Sequence, residues 1–376
     1  MAHIALRMLF GDRAKYVTLV LGLAFAALLM NQQGAIFMGL LNQATGPLQN
    51  VTQPDLWVTD PGTRWIAEYR SLSDQKLGRV RSVPGVAWAE PFFNSWAVVE
   101  LKSGDFKRVQ LLGLPRDTLA GRPPEVTEGQ LRDLWIPDAV LVEENSAKIL
   151  GGVKVGDVLK MNDQRAVVVG FCKAKRGFES NAILYTTYER ALTYSPVGRD
   201  RISYILVKAK PGVDVRKVQA EINRISEVAA YTPEEFRSRS IRFIMTATGI
   251  GVNFGITITL GFVVGLLLSA SVFYQFTLEN LRHFAVLKAM GTPTSMLIGM
   301  VLLQALVVGV VGYGIGAGVA GAFAILSNKV QSELATYFPW QLLVGSFFAT
   351  LFTIGLGSVL SLRRVVSVPV GSVFST

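Results

Sequence analysis

Residues 279–295 read ENLRHFAVLKAMGTPTS, from Glu279 to Ser295. This short charged stretch lies between two long apolar runs, Gly249–Phe276 before it and Met296–Leu326 after it. About 20 residues at ~1.5 Å rise cross a ~30 Å hydrocarbon core, so each run is long enough to span a bilayer. The stretch is therefore a connector at the membrane edge, and Arg282 and Lys288 point to the cytoplasmic side. Leu281, Phe284, Leu287 and Lys288 follow helical 3–4 spacing. Gly291 supplies a C-terminal stop, and Thr292-Pro293 lets a new helix begin at once.

Working outward, the chain of 376 residues is 50% apolar with net charge +10. Its mean hydropathy is +0.38, above that of an ordinary soluble protein. The apolar excess is concentrated in four runs, read as spans over residues 16–41, 249–276, 296–326 and 342–362. Residues 1–15 (MAHIALRMLFGDRAK) mix basic and apolar residues and read as a short amphipathic helix on the cytoplasmic surface. The first run is followed by Asn31-Gln32-Gln33 and lacks a small-residue cleavage site, so it reads as an uncleaved anchor. These three amides sit either at the outer interface or on a polar patch facing a dimer seam, where they bond across helices. In the third span, Gly312/Gly316 and Gly314/Gly318 form small-xxx-small pairs that permit close helix approach. Residues 327–341 read as a short outer loop and 363–376 as a tail. Arg7, Arg13, Lys15, Arg282, Lys288, Arg363 and Arg364 fall on one side of this topology and Lys329 on the other. Both termini are then cytoplasmic, and the long segment between the first two spans is outside.

That segment, residues 42–248, carries mixed strand and helix signals and scattered charges of both signs, unlike a nucleic-acid groove. Strands are expected at Leu56–Thr59, Val86–Leu101, Lys107–Gly113, Arg165–Phe171 and Arg201–Ala209, with helices over Leu72–Val83 and Val213–Val228. Two strand–helix units of ferredoxin-like character, about 45–113 and 201–230, flank a β-rich insert over about 114–200. Tyr231-Thr232-Pro233-Glu234-Glu235 is a helix start with a cap, a proline and first-turn acids. No strong stop follows until about Phe276, which predicts one helix of ~65 Å whose first half is a stalk. A break at Gly249-Ile250-Gly251 is the alternative.

Several chemistries have no footing. There is no phosphate-binding G-x-x-x-x-G-K-[ST] and no H-E-x-x-H motif. The only histidines, His3 and His283, lie in cytoplasmic segments, and the single cysteine, Cys172, reads as a small strand residue. Glu143-Glu144 and Glu234-Glu235 fit helix N-termini. The spans hold almost no ionisable side chain, so an internal ion relay is not expected. No cofactor or metal is expected on this chain, and no catalytic residue; the energy comes from a partner.

The segment FAVLKAMG resembles the E-[IF]-x-x-L-[KR]-A-[LM]-G signature of MacB/FtsX-type (type VII) ABC transporter permeases. Phe284, Val286, Leu287, Lys288, Ala289, Met290 and Gly291 match, whereas His283 stands where the family often has Glu. VPGV, VLVEENSAKILGGVKVGDVL and VVVGFCKA resemble the family's periplasmic core domain, and the N-terminal pattern is similar to DevC-type permeases. The resemblance implies an integral membrane α-helical protein of four transmembrane helices, with a large α+β periplasmic core domain between the first and second. It implies a bacterial inner-membrane permease whose coupling helix docks into a separate ATPase subunit, with Glu279, Arg282, His283, Phe284, Leu287, Lys288, Met290 and Gly291 at the contact. ATP and Mg belong to that partner. A second permease copy, a periplasmic adaptor and an outer-membrane channel are further implied partners, and lipid, glycolipid, peptide or drug the cargo. An FtsX-like regulator of peptidoglycan hydrolases and a Lol-like lipoprotein release permease are the alternatives.

Overall fold

The computed structural model describes residues 2–11, 13–179, 181–196, 202–329 and 336–366. It divides into an α/β unit, Leu41–Gly249, and a helical unit made of the remaining residues on both sides.

After the short helix α3 (Gly46–Asn50), the α/β unit continues with strand β1 (Leu56–Thr59), helix α4 (Asp74–Arg81) and strand β2 (Val86–Glu100). Its last part is β9 (Tyr204–Ala209), α7 (Val215–Ile222), β10 (Ala229–Tyr231) and α8 (Pro233–Ala247). The strands lie in the order β10-β1-β9-β2, each antiparallel to its neighbour. This is the split βαβ arrangement of a ferredoxin-like fold. One face is closed by α4 and α7, whose Leu77, Val80, Val218 and Ile222 meet Leu56, Val58, Ile205 and Val207. On the other face Trp57 is ringed by Phe92, Tyr204 and Phe236 at centroid distances of 5.8, 5.4 and 6.1 Å. With both faces covered, every residue of β1 is buried.

Between these halves the sheet curls into a barrel. The second half of β2 pairs with β3 (Phe106–Leu114), and β3 runs parallel to β8 (Ala182–Thr187). β8 pairs with β5 (Ala139–Glu143), β5 with β7 (Gln164–Lys173) and β7 with β6 (Val158–Met161). β6 then returns to β2 at Val99 and Glu100, closing six strands and removing their edges. Alternate residues fill the interior, among them Val99, Val109, Leu111, Val140, Val142 and Val168. The insert therefore does not begin at residue 114, as the chain order suggested. Leu206 faces Glu90 across the β9 side, whereas Phe93 faces Gly113 of β3, so the changeover falls inside β2 near Phe93. A single 15-residue strand serves both substructures.

Side-chain caps mark the starts of two helices here. Glu143 is buried and accepts hydrogen bonds from the Asn145 and Ser146 amides at 3.0 and 2.9 Å, starting helix α5 (Glu144–Ile149). Thr232 and Glu235 form a reciprocal capping box at the head of α8. Cys172 is buried on β7, and burial pushes its thiol well above the usual range. Arg201, the expected start of β9, lies outside the described residues.

The helical unit contains α1 (Ala2–Gly11), α2 (Arg13–Ala44), α9 (Ile250–Glu279), α10 (Leu281–Ala289), α11 (Thr294–Lys329) and α12 (Trp340–Val366). Four of these, α2, α9, α11 and α12, are long and apolar enough to cross a membrane. The continuous helix expected from Pro233 to Phe276 is interrupted. Thr248 caps α8, and Gly249 follows at φ +73°, a conformation only glycine takes readily, before α9 begins. The unit's interior gathers Leu9, Leu19, Leu23, Phe273, Phe276, Val308 and Ile354. Its outer face stays apolar at Phe25, Ile256, Leu267 and Phe348, as lipid contact demands.

Candidate coupling site

Helix α10 owes its limits to two flanking residues. At Asn280 the side chain Nδ2 donates to the Phe276 carbonyl at 2.9 Å, marking the join with α9. At the far end the amide of Thr292 donates to the Leu287 carbonyl at 3.1 Å and that of Gly291 to Lys288 at 3.0 Å. This is a complete Schellman motif, and it requires the φ of +89° found at Gly291. Pro293 then accepts from Met296 at 3.0 Å and opens α11.

The helix has two unlike faces. Phe284 and Ala285 are buried at 0% and 1% exposure. They pack on Ala5 of α1 and on Leu297, Met300 and Val301 of α11, with Leu287 half-buried beside them. Gln304, also fully buried, donates from Nε2 to the Ala5 carbonyl at 2.8 Å and ties α1 to α11 behind this seat. On the opposite face Arg282 and His283 are exposed, Val286 is 39% exposed and Met290 is 78% exposed. Glu279 accepts from Gln275 Nε2 at 3.3 Å, within the last turn of α9, and Lys288 is half-buried.

Of the coupling residues expected from the sequence, Phe284 is thus corrected. Its ring is in the chain's own core, so it holds α10 in place and cannot enter a groove on another protein. Leu287 largely shares that role. Arg282, His283, Val286 and Met290 form the exposed face of the helix. The seat residues Ala5 and Gln304 were missed, although Gln304 is the lone amide in the apolar run 296–326, a placement that asks for a partner.

The expected packing residues also divide. Asn31 is buried; its Nδ2 donates to the Ala27 carbonyl at 2.8 Å and its Oδ1 accepts from Ser346 of α12 at 2.8 Å. It is therefore engaged within the chain, while Gln32 and Gln33 are half-buried. A Cβ at Gly312 would lie 2.9 Å from the Leu23 Cβ, and one at Gly316 2.8 Å from the Ala27 Cβ, so both glycines seat α11 on α2. At Gly314 and Gly318 a Cβ would meet nothing within 4 Å.

Four membrane-length helices, an α/β domain between the first and second, and a capped connector helix between the second and third define a multi-pass membrane subunit with an extramembrane module. Residues 17–225 match the MacB-like periplasmic core domain, and residues 250–370 match the FtsX-like permease C-terminal model. The chain belongs to the MacB/FtsX-type family of ABC transporter permeases. An uncharacterized ABC transporter permease of Mycobacterium tuberculosis is 28% identical over 310 residues, covering 80% of this chain and 78% of that protein. One of Mycobacterium bovis is 27% identical over 300 residues, covering 78% and 76%. The macrolide export ATP-binding/permease protein MacB of Agrobacterium fabrum is 23% identical over 312 residues, covering 77% of this chain and 48% of that protein. The periplasmic region of MacB from Actinobacillus actinomycetemcomitans aligns with a TM-score of 0.38 at 14% identity, covering 49% of this chain and 90% of that one.

Proposed function

We propose that this permease receives movement from a separate ATPase through the outer face of α10 and passes it along α9 to the α/β unit. The observation that carries the reading is the two-sidedness of α10. Phe284 and Ala285 fasten the helix to α1 and α11, so force applied to α10 reaches the spans directly. Val286 and Met290, flanked by Arg282 and His283, remain for a partner's groove. A helix face in a groove is a recurrent mode of protein recognition. The cations around it set orientation more than affinity.

The distribution of Arg7, Arg13, Arg282, Arg363 and Arg364 supports placing α10 and both ends of the chain in the cytoplasm, with the α/β unit in the periplasm. ATP and Mg are then used on the partner. A second permease copy, a periplasmic adaptor and an outer-membrane channel complete the proposed assembly, and cargo is taken up on the periplasmic side. The test is co-purification. Val286→Asp with Met290→Asp leaves the buried seat intact and places two carboxylates on the contact. The double variant should remain in the membrane, lose the ATPase subunit and lose export. Retention of the ATPase together with full export would defeat the reading.

A further inference from the structure

The α/β unit contains a cleft of about 330 Å³ on the outer surface of the barrel, against the 66–69 loop. Its back wall is a ladder of side chains from β2 and β3. Trp96 lies directly across from Gln110, with Asn94 and Arg108 diagonal to them. The spacing of adjacent strands brings such diagonal neighbours within reach of one another.

Each rung leaves a defined capacity unused. Gln110 Nε2 donates to Asn94 Oδ1 at 2.8 Å. That pairing consumes one donor and one acceptor and leaves the Asn94 NH2 and the Gln110 carbonyl without a hydrogen bond among the described residues. Reversing both amides again leaves one amino group and one carbonyl group unbonded. This is the complement of a peptide group, which offers one C=O and one N–H. The Arg108 guanidinium lies over the Trp96 ring, 4.7 Å from its centroid. It makes no ion pair or hydrogen bond among the described residues. Of the carboxylates in the lining, Glu68 is paired with Arg64 at 2.6 Å, and Glu179 accepts from the neutral Asn181 amide at 2.8 Å and keeps its charge. Arg108 thus offers an unpaired planar cation lying over an aromatic ring, a form suited to a bidentate carboxylate. Tyr69 and Phe178 offer apolar surface close by. One face of Trp96 is already covered by Arg108, which makes the ring a poor platform for a sugar.

We propose that this cleft binds the carboxy-terminal end of a short peptide. The terminal carboxylate sits on Arg108, the last peptide group bridges the Asn94–Gln110 pair, and the terminal side chain lies against Tyr69 and Phe178. The volume is at the small end of ligand pockets and suits a short peptide. The site is independent of whether the peptide is cargo or signal, and of how α10 meets an ATPase.

The test uses the full chain in lipid nanodiscs without any ATPase, so that it cannot fail through a faulty coupling model. Binding of Ala-Ala-Phe, of its C-terminal amide, of inorganic phosphate and of a disaccharide is measured by calorimetry. The free acid should bind saturably, and the amide should bind at least about tenfold more weakly, a difference of ~1.4 kcal/mol. Arg108→Gln should weaken the acid to the level of the amide while leaving the amide's own affinity unchanged. Gln110→Leu should weaken both peptides. Arg108 is exposed, so its replacement leaves the fold intact, and Arg108→Lys should recover only part of the loss. Equal affinity for acid and amide, Arg108-dependent binding of phosphate without peptide, preference for the disaccharide, or no saturable peptide binding at millimolar concentration would each overturn the proposal.

Discussion

In the α/β unit, Trp57 lies among Phe92, Tyr204 and Phe236, and the barrel is filled by Val, Leu and Met side chains. In the helical unit the closest approaches are made by glycine: Gly312 and Gly316 on α2, and Gly357, where a Cβ would lie 2.8 Å from the Ala270 amide nitrogen of α9. The difference follows from solvent. Burial from water rewards large apolar side chains at ~25 cal/mol per Å². Between lipid-facing helices that reward is absent, and stability comes from close backbone packing and hydrogen bonds such as Ser346 to Asn31. Truncating large residues should therefore be the costly change in the α/β core, and enlarging the contact glycines the costly change between the membrane-length helices.

The strongest break of this contrast is Trp57→Ala, which should cost about 3–5 kcal/mol in the α/β unit, measured by denaturant unfolding followed by near-ultraviolet circular dichroism. Trp57→Phe keeps most ring contacts and removes an indole N–H that is buried without a hydrogen-bond partner among the described residues, so it should cost far less. Similar losses in the two variants would show that the aromatic cluster is not the unit's core.

The matching test in the helical unit is Gly316→Ile, which drives a branched side chain into the Ala24–Leu28 backbone and should destabilise by about 1–3 kcal/mol in detergent unfolding assays. Gly314→Ile, two residues away, should leave the single chain's stability unchanged, because nothing stands within 4 Å of its added Cβ. Loss of self-association in the Gly314 variant alone would assign that face to a second copy. Equal effects on monomer stability would contradict the packing described.

The smallest expected effect concerns pH. Burial alone would raise the Glu235 carboxyl, but the Thr232 amide, Arg216 and Gln219 outweigh it and hold the group below the usual range. A depressed folded value means that the stabilisation is present above the unfolded value, near ~4.3. It is lost as pH falls through the folded value. Stability of the wild type should thus decline more steeply on acidification than that of Glu235→Gln. Parallel pH profiles would mean that the capping box carries no linked proton.

Much of the architecture was legible because lipid imposes long apolar runs and helix ends carry chemical marks. The start of α8 at Thr232 and the stop of α10 at Gly291 are local events, readable from a few residues. What stayed hidden depends on distant partners. The parallel pairing of β3 with β8 and the closure of β6 on β2 join segments far apart in sequence. The 15 residues of β2 carry no mark at Phe93 that the strand changes partners. Gly249 lies in a run otherwise favourable to helix, so its neighbours alone do not mark the break. At the coupling site, amphipathic spacing located α10 but left open whether its apolar face turns to the chain or to a partner. Phe284 resolved inward because Ala5, a residue too small to draw notice, leaves room for its ring.

The central claim, that the Met290 side of α10 meets an ATPase while the Phe284 side does not, is tested most directly by site-specific cross-linking. The single native cysteine, Cys172, is buried, so it leaves a clean background. Cysteines are placed singly at Val286, Met290 and Ala285 of the full chain, in membranes containing the co-expressed ATPase. The account predicts that Val286→Cys and Met290→Cys join to the ATPase through a short bifunctional thiol reagent, and that Ala285→Cys does not. Cross-linking at Ala285 equal to that at Met290, or none at either exposed position, would contradict it.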